Sequence, residues 1–115
     1  AQFAGIEAMR TGEDDVQRMK LQYDTRRRYL VDELRRMGLG CFEPLGAFYV
    51  FPSIQSTGLT SQEFANKLLQ EQKVAVVPGD AFGKSGEGHI RISYSYSMAH
   101  LREAMSRMRT FLNNL

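Results

Sequence analysis

The stretch of this chain whose residue types could do chemistry is Val74 to Ser95, VAVVPGDAFGKSGEGHIRISYS. It reads as a strand, a Gly-rich connection and a second strand, and that second strand carries Arg91. Strand side chains alternate with period two, so Ile90, Ile92 and Tyr94 point to one face and His89, Arg91 and Ser93 to the other. An arginine between two isoleucines is held on a stiff element, and its planar fork suits bidentate binding of a carboxylate or phosphate. Two readings of Arg91 stand side by side: a ligand-binding group, or a structural partner for a carboxylate such as Glu87 or Glu103.

Other chemistry has weaker support. His89 and His100 fall on different elements and Cys41 has no partner at a ligand spacing, so no metal site is expected. Nothing has the spacing of a Ser/His/Asp or Cys/His arrangement. Ser93 and Ser95 read as strand or capping residues, and His100 as a surface residue. The loop Gly79–Gly88 lacks the G-x-x-x-x-G-K-[ST] order and leads into a strand rather than a helix, so its glycines are expected to serve tight turns and close backbone approach, not phosphate binding. Arg26, Arg27 and Arg28 are consecutive, and consecutive helical residues point about 100° apart, so they make no single basic face. No aromatic platform accompanies them, and no nucleic-acid partner is expected. The methionines, six in all, read as core or packing surface.

Several elements must position Arg91. Residues 1–10, with Phe3, Ile6 and Met9, read as a short helix or the tail of one. Thr11-x-x-Asp14 has the form of a capping box, and Val16, Met19, Tyr23, Leu30, Leu34 and Met37 then recur at helical spacing, with Gly38 as the C-terminal stop. Ala47 to Phe51 reads as a strand ended by Pro52. Thr60-x-x-Glu63 is a second capping box, opening a helix with Phe64, Leu68 and Leu69 on its apolar face. Val74 to Val77 reads as a buried strand. Ser97 caps a last helix whose stripe is Leu101, Met105, Met108 and Leu112. The pattern predicts an α/β (α+β) two-layer sandwich. A small, mostly antiparallel sheet of three main strands carries helices on it, with a long N-terminal helix. The Arg91 strand is expected in the middle of the sheet, with the Thr60 helix crossing between the two outer strands.

At 115 residues the chain is expected to be one domain. Hydrophobic content of 43%, charged content of 24% and a net charge of +2 predict a soluble globular protein rather than a disordered, membrane or strongly nucleic-acid-binding one. The single Cys41 allows no internal disulfide and predicts a reducing compartment. There is no membrane-length apolar run and no signal-peptide pattern at the start. The chain opens inside a helical pattern, which leads us to expect a piece of something longer.

Pro78-Gly79-x-x-Phe82-Gly83-x-x-Gly86-x-Gly88-His89-Ile90-Arg91-Ile92-Ser93 resembles the C-terminal signature of class I/II aminotransferases, the fold-type I enzymes dependent on pyridoxal phosphate. The resemblance extends in order across nearly the whole chain. Gly46-Ala47-Phe48-Tyr49 is similar to the family's GAFY strand, and Tyr23-x-x-Arg26-Arg27-x-x-Leu30 to the long helix of its small domain. It implies that residues 1–115 are the C-terminal small domain of such an enzyme. Arg91 would bind the substrate α-carboxylate, Phe82 and the Gly79–Gly83 turn would lie near the site wall, and Tyr49 and Phe48 would be core. Held in this way, an amino or keto acid would be oriented over the cofactor.

The Schiff-base lysine, the Asp at the pyridine nitrogen and the phosphate-binding residues of the family lie in a larger, earlier domain. Lys67, Lys73 and Lys84 sit in the wrong context to replace the lysine. The resemblance therefore implies pyridoxal phosphate in the parent and none bound by this piece, which alone would be inactive. The parent would be a cytoplasmic homodimer acting on an amino acid and a 2-oxo acid, with this domain as a moving lid. Lyases and synthases of the same fold share the arginine. Two alternatives compete: a stand-alone regulatory or interaction domain derived from an aminotransferase, and a basic module built on Arg26–Arg28.

Overall fold

The structure, a computed structural model describing residues 1–115, runs α1 (Gln2–Thr11), α2 (Glu13–Arg36), β1 (Tyr49–Val50), α3 (Ser61–Gln72), β2 (Val77–Pro78), β3 (Ile90–Ser93) and α4 (Met98–Asn113). The strands form one sheet in the order β1-β3-β2, and both pairings are antiparallel. This is the expected α/β arrangement, with the Arg91 strand central and α3 joining the two outer strands. No helix is long and apolar enough to cross a membrane.

The stop of α2 follows from Gly38. With φ at +80°, Gly38 donates to the Arg35 carbonyl and Leu39 to the Leu34 carbonyl, the Schellman pair that a left-handed residue allows. Leu34 and Leu39, which this turn brings together, are both buried. The start of α2 differs from expectation. No side chain caps it; Gly12 is in the right-handed helical region, and the Thr11 hydroxyl turns back to Glu7. A glycine that keeps helical angles lets α1 run into α2, so the Thr11 capping box does not form. Only the far half of the α2 stripe is buried, at Leu30, Val31 and Leu34. Phe3 and Met9 are 88% and 90% exposed, and this uncovered arm gives the molecule its 51 Å length.

Pairing of β1 with β3 sets Tyr49 opposite Ser93 and Val50 opposite Ile92. The same register continues irregularly: Tyr94 donates to the Phe48 carbonyl, Ile90 to the Pro52 carbonyl, and Ile54 to the Gly88 carbonyl. The regular strand is shorter than the expected Ala47–Phe51 because Ala47 has φ at +58°, outside the extended region. The strand expected at Val74–Val77 is also displaced. Only Val77 and Pro78 pair, and Val74 to Val77 is half-buried or exposed rather than buried. Pro78 has no N–H to give a second neighbour, which suits an edge strand.

On β3 the alternation is as expected: Ile90, Ile92 and Tyr94 are buried, and Arg91 and Ser93 are half-buried. The buried face meets α2, α3 and α4 in one core. Helix α4 contributes Leu101, Met105, Met108 and Phe111. Phe111, rather than the expected Leu112, reaches inward and meets Phe64 edge-to-face at 5.2 Å. In α3, Ala65 is buried and Leu69 is 48% exposed, which rotates the expected apolar face slightly.

The Thr60–Glu63 capping box is complete at α3, and Ser97 caps α4. Ser61 ties α3 to the Gly-rich loop. Its hydroxyl, fully buried, accepts from the Gly88 amide at 2.9 Å and the His89 amide at 3.3 Å. Its own amide donates to Glu87 Oε1 at 2.8 Å. Ser61→Ala strands the buried Gly88 donor and is expected to cost about 1–3 kcal/mol, read as a lowered urea midpoint.

Arg27 fastens α2 to the connector after it. Its guanidinium reaches Asp24 and Glu43, each at 2.6 Å. The Arg27 hydrogen bond is the main cause holding both carboxyls below the ordinary carboxylate range. A carboxyl whose pKa is depressed by folding contributes stability above its unfolded pKa and loses it as pH falls through the folded value. The clamp is therefore expected to open below the ordinary carboxylate range, seen as acid-dependent shifts of the Phe42 and Glu43 amide resonances. Arg27→Ala should move those shifts up towards the ordinary carboxylate range.

Candidate functional site

Arg91 has its backbone fixed on both sides. Val77 of β2 is its partner on one side, and the β1 register sets Phe51 across from it on the other. Its guanidinium carbon lies 4.3 Å from the Tyr49 ring centroid and 4.7 Å from that of Phe82. Both are distances at which a cation is attracted to a ring face. None of the ion pairs of the chain includes Arg91. The two carboxylates that could have neutralised it are used elsewhere: Glu87 accepts from the Ser61 amide, and Glu103 pairs with Arg107 at 2.7 Å. A half-buried cation with aromatic neighbours and no counter-charge is equipped to receive an anionic group.

Phe82 reaches Arg91 because the Gly-rich loop doubles back on itself. A Cβ at Gly79 would lie 2.1 Å from the Gly86 carbonyl oxygen, and one at Gly86 2.0 Å from the Gly79 carbonyl oxygen. The two backbones therefore cross where only glycine fits, as the close-approach reading expected. The crossing turns residues 79–82 into one 3₁₀ turn with Phe82 at its end. Phe51 braces the far side of Phe82, edge-to-face at 6.1 Å, and stacks flat on His89 at 5.3 Å. Sequence reasoning missed Phe51. It placed Tyr49 and Phe48 in the core, whereas Phe48 is exposed and Tyr49 is half-buried and lies against Arg91. The signal was the strand alternation itself, which puts Tyr49 and Phe51 on the Arg91 face once the register is known.

Arg91 and Ser93 also border a cleft of about 530 Å³ between residues 73–77 and α4. Val76, Ala104 and Met108 contribute apolar wall, and Tyr96 and His100 stand at its border. The His100 ring lies 3.0 Å from the Ser97 hydroxyl.

The remaining sequence candidates lie elsewhere. Arg27 and Arg28 are bound to acidic neighbours on their own helix, and Arg36 pairs with Asp32. Arg26 bonds Gln22, and Arg35 donates to the Cys41 carbonyl. Cys41 is buried, and burial pushes its thiol pKa up. No three His, Cys, Asp or Glu side chains come together as metal ligands would.

Residues 1–108 match the family profile of aminotransferase class I and II. The chain belongs to this family. It is 50% identical over 113 residues to the aspartate aminotransferase of Pyrococcus abyssi, across 96% of this chain and 29% of that protein. To aromatic-amino-acid aminotransferase 2 of Thermococcus litoralis it is 45% identical over 113 residues, again 96% of this chain and 29% of the relative. The solved structure of Pyrococcus protein-A1 superposes with a TM-score of 0.95 at 46% identity, covering 98% of this chain and 30% of that one. The chain thus spans about 29% of the length of these curated relatives.

The glycine crossing sets a clear contrast between two alanine substitutions. Gly86→Ala drives a methyl group into the Gly79 backbone and is expected to destabilise the protein and release Phe82. Gly5→Ala, where nothing lies within 4 Å, is expected to be neutral or stabilising by up to about 1 kcal/mol, because alanine is the better helix former. Denaturant midpoints of both variants test this.

Proposed function

We propose that residues 1–115 are the C-terminal small domain of a longer aminotransferase that exchanges an amino group between an amino acid and a 2-oxo acid. In this reading Arg91 clamps the substrate α-carboxylate, Phe82 forms part of the site wall, and the domain closes over the site as a lid. The observation that carries it is the unneutralised Arg91 guanidinium on β3, held between Tyr49 and Phe82. A fork of N–H donors on a paired central strand orients a carboxylate and so the bonds at the adjacent carbon.

The exposed apolar row Phe3, Ile6, Met9, Val16 and Met19 supports the larger assembly, since this chain has nothing that covers it. Proteins of this family use pyridoxal phosphate, which supplies the electron sink for amino-group exchange. The residues of this chain do not fit that group. Lys20, Lys67, Lys73 and Lys84 are all exposed, and the Lys73 ammonium sits on the Gln70 carbonyl at 2.8 Å. We therefore assign the cofactor and its lysine to the rest of the longer protein, and we propose that this protein is a cytoplasmic homodimer.

The test is an absorption spectrum of the full-length protein with and without an amino acid. A visible band that shifts on substrate addition is expected; a colourless protein overturns the reading. Arg91→Ala is expected to keep the band but lose about 3 kcal/mol of transition-state binding, on the order of 10²-fold in kcat/KM.

A further inference from the structure

We propose that Tyr49 and Phe82 are positioning residues that hold the Arg91 guanidinium so that its N–H edge receives the substrate carboxylate. The inference rests on the reading of Arg91 as that clamp and extends it to a residue, Tyr49, that the sequence had placed in the core.

Two rings lie within 4.7 Å of one guanidinium carbon. No other protein group neutralises that carbon's charge, so the rings are what fixes the long, flexible side chain. Each ring is itself supported. Tyr49 leads back to α2: Phe48 lies 4.6 Å from Tyr49, and Tyr23 of α2 lies 6.0 Å from Phe48. Phe82 is braced by Phe51 and by the Gly79–Gly86 crossing. The side chain is thus gripped from both the strand and the loop.

This grip has two consequences for binding. An arginine ordered before the ligand arrives loses less conformational freedom on binding. Rings that displace water from a cation also strengthen the hydrogen bonds it makes along its free edge. The ring, and not the Tyr49 hydroxyl, does this, because the hydroxyl has no partner within the chain. A lysine would not serve, since a compact ammonium has no planar face to stack and no fork to present.

The experiment uses the full-length protein and compares Tyr49→Ala, Tyr49→Phe, Phe82→Ala and Arg91→Ala. KM is measured for an amino acid and for an amine lacking the α-carboxylate. Tyr49→Ala is expected to raise KM for the amino acid about tenfold and to leave KM for the amine unchanged, whereas Phe82→Ala, which also removes site wall, is expected to raise KM for the amino acid by a larger factor than KM for the amine. Tyr49→Phe, which keeps the ring, is expected to restore the wild-type value. If Tyr49→Ala does not fold, as judged by its thermal midpoint, Tyr49→Leu replaces it with an apolar side chain that carries no ring. An unchanged KM for the amino acid in either ring-deleted variant overturns the proposal, as does an equal rise for the amino acid and the amine. If Arg91→Ala itself leaves amino-acid KM unchanged, the clamp reading fails and this proposal fails with it. If Arg91→Ala weakens binding while the ring deletions are silent, the clamp stands and only the positioning role is lost.

Discussion

The rest of the structure depends on the two-sided constraint on β3. It is hydrogen-bonded to β1 on one edge and β2 on the other, so its backbone cannot shift without breaking both pairings. Its alternate side chains are buried against three helices. A one-residue slip would turn Ile90 and Ile92 out and drive Arg91 into the core. The burial of two isoleucines and Tyr94 therefore determines where Arg91 points, and a residue with no stabilising ion pair is kept in place by its neighbours' hydrophobicity. The Tyr94 hydroxyl closes this arrangement by donating to the Ala47 carbonyl at 3.0 Å, at the point where the chain turns into β1.

The charges divide into two populations. Along α2, arginines alternate with acidic residues at three- and four-residue spacings, and Arg27, Arg28 and Arg36 are paired locally. The exposed pairs of Arg28 and Arg36 add little stability each, but the Arg27 and Arg28 pairs neutralise two of the three arginines in the run Arg26–Arg28. Arg91 differs from these paired arginines: its guanidinium lies between the Tyr49 and Phe82 rings instead of on a carboxylate. The contrast separates the ion-paired arginines of α2 from a half-buried one that carries no counter-charge.

The site is assembled from pieces whose local preferences agree. Ser61 serves both as the first residue of α3 and as the acceptor for the loop amides at Gly88 and His89. The capping of α3, the path of the Gly-rich loop and the entry into β3 are therefore one connected structure. Mobility in that loop is limited by this bond and by the glycine crossing, and Phe82 inherits the restriction.

Much of this was legible in the sequence because it follows from local rules. Period-two alternation identified the Arg91 face, glycine at positive φ stopped α2, and the Thr60 and Ser97 caps started α3 and α4. Gly79 and Gly86 announced a close approach, although which backbone each would meet was not readable. What the tertiary structure decided was pairing and partnership. Register brought Tyr49 and Phe51, distant in sequence, beside Arg91, and neighbouring contacts drew Glu87 and Glu103 away from it. The same kind of competition left Thr11 bonded backward and Val74 to Val76 unpaired. Local signals are written within a few residues, but an arginine's freedom depends on which groups across the fold have already been claimed by others.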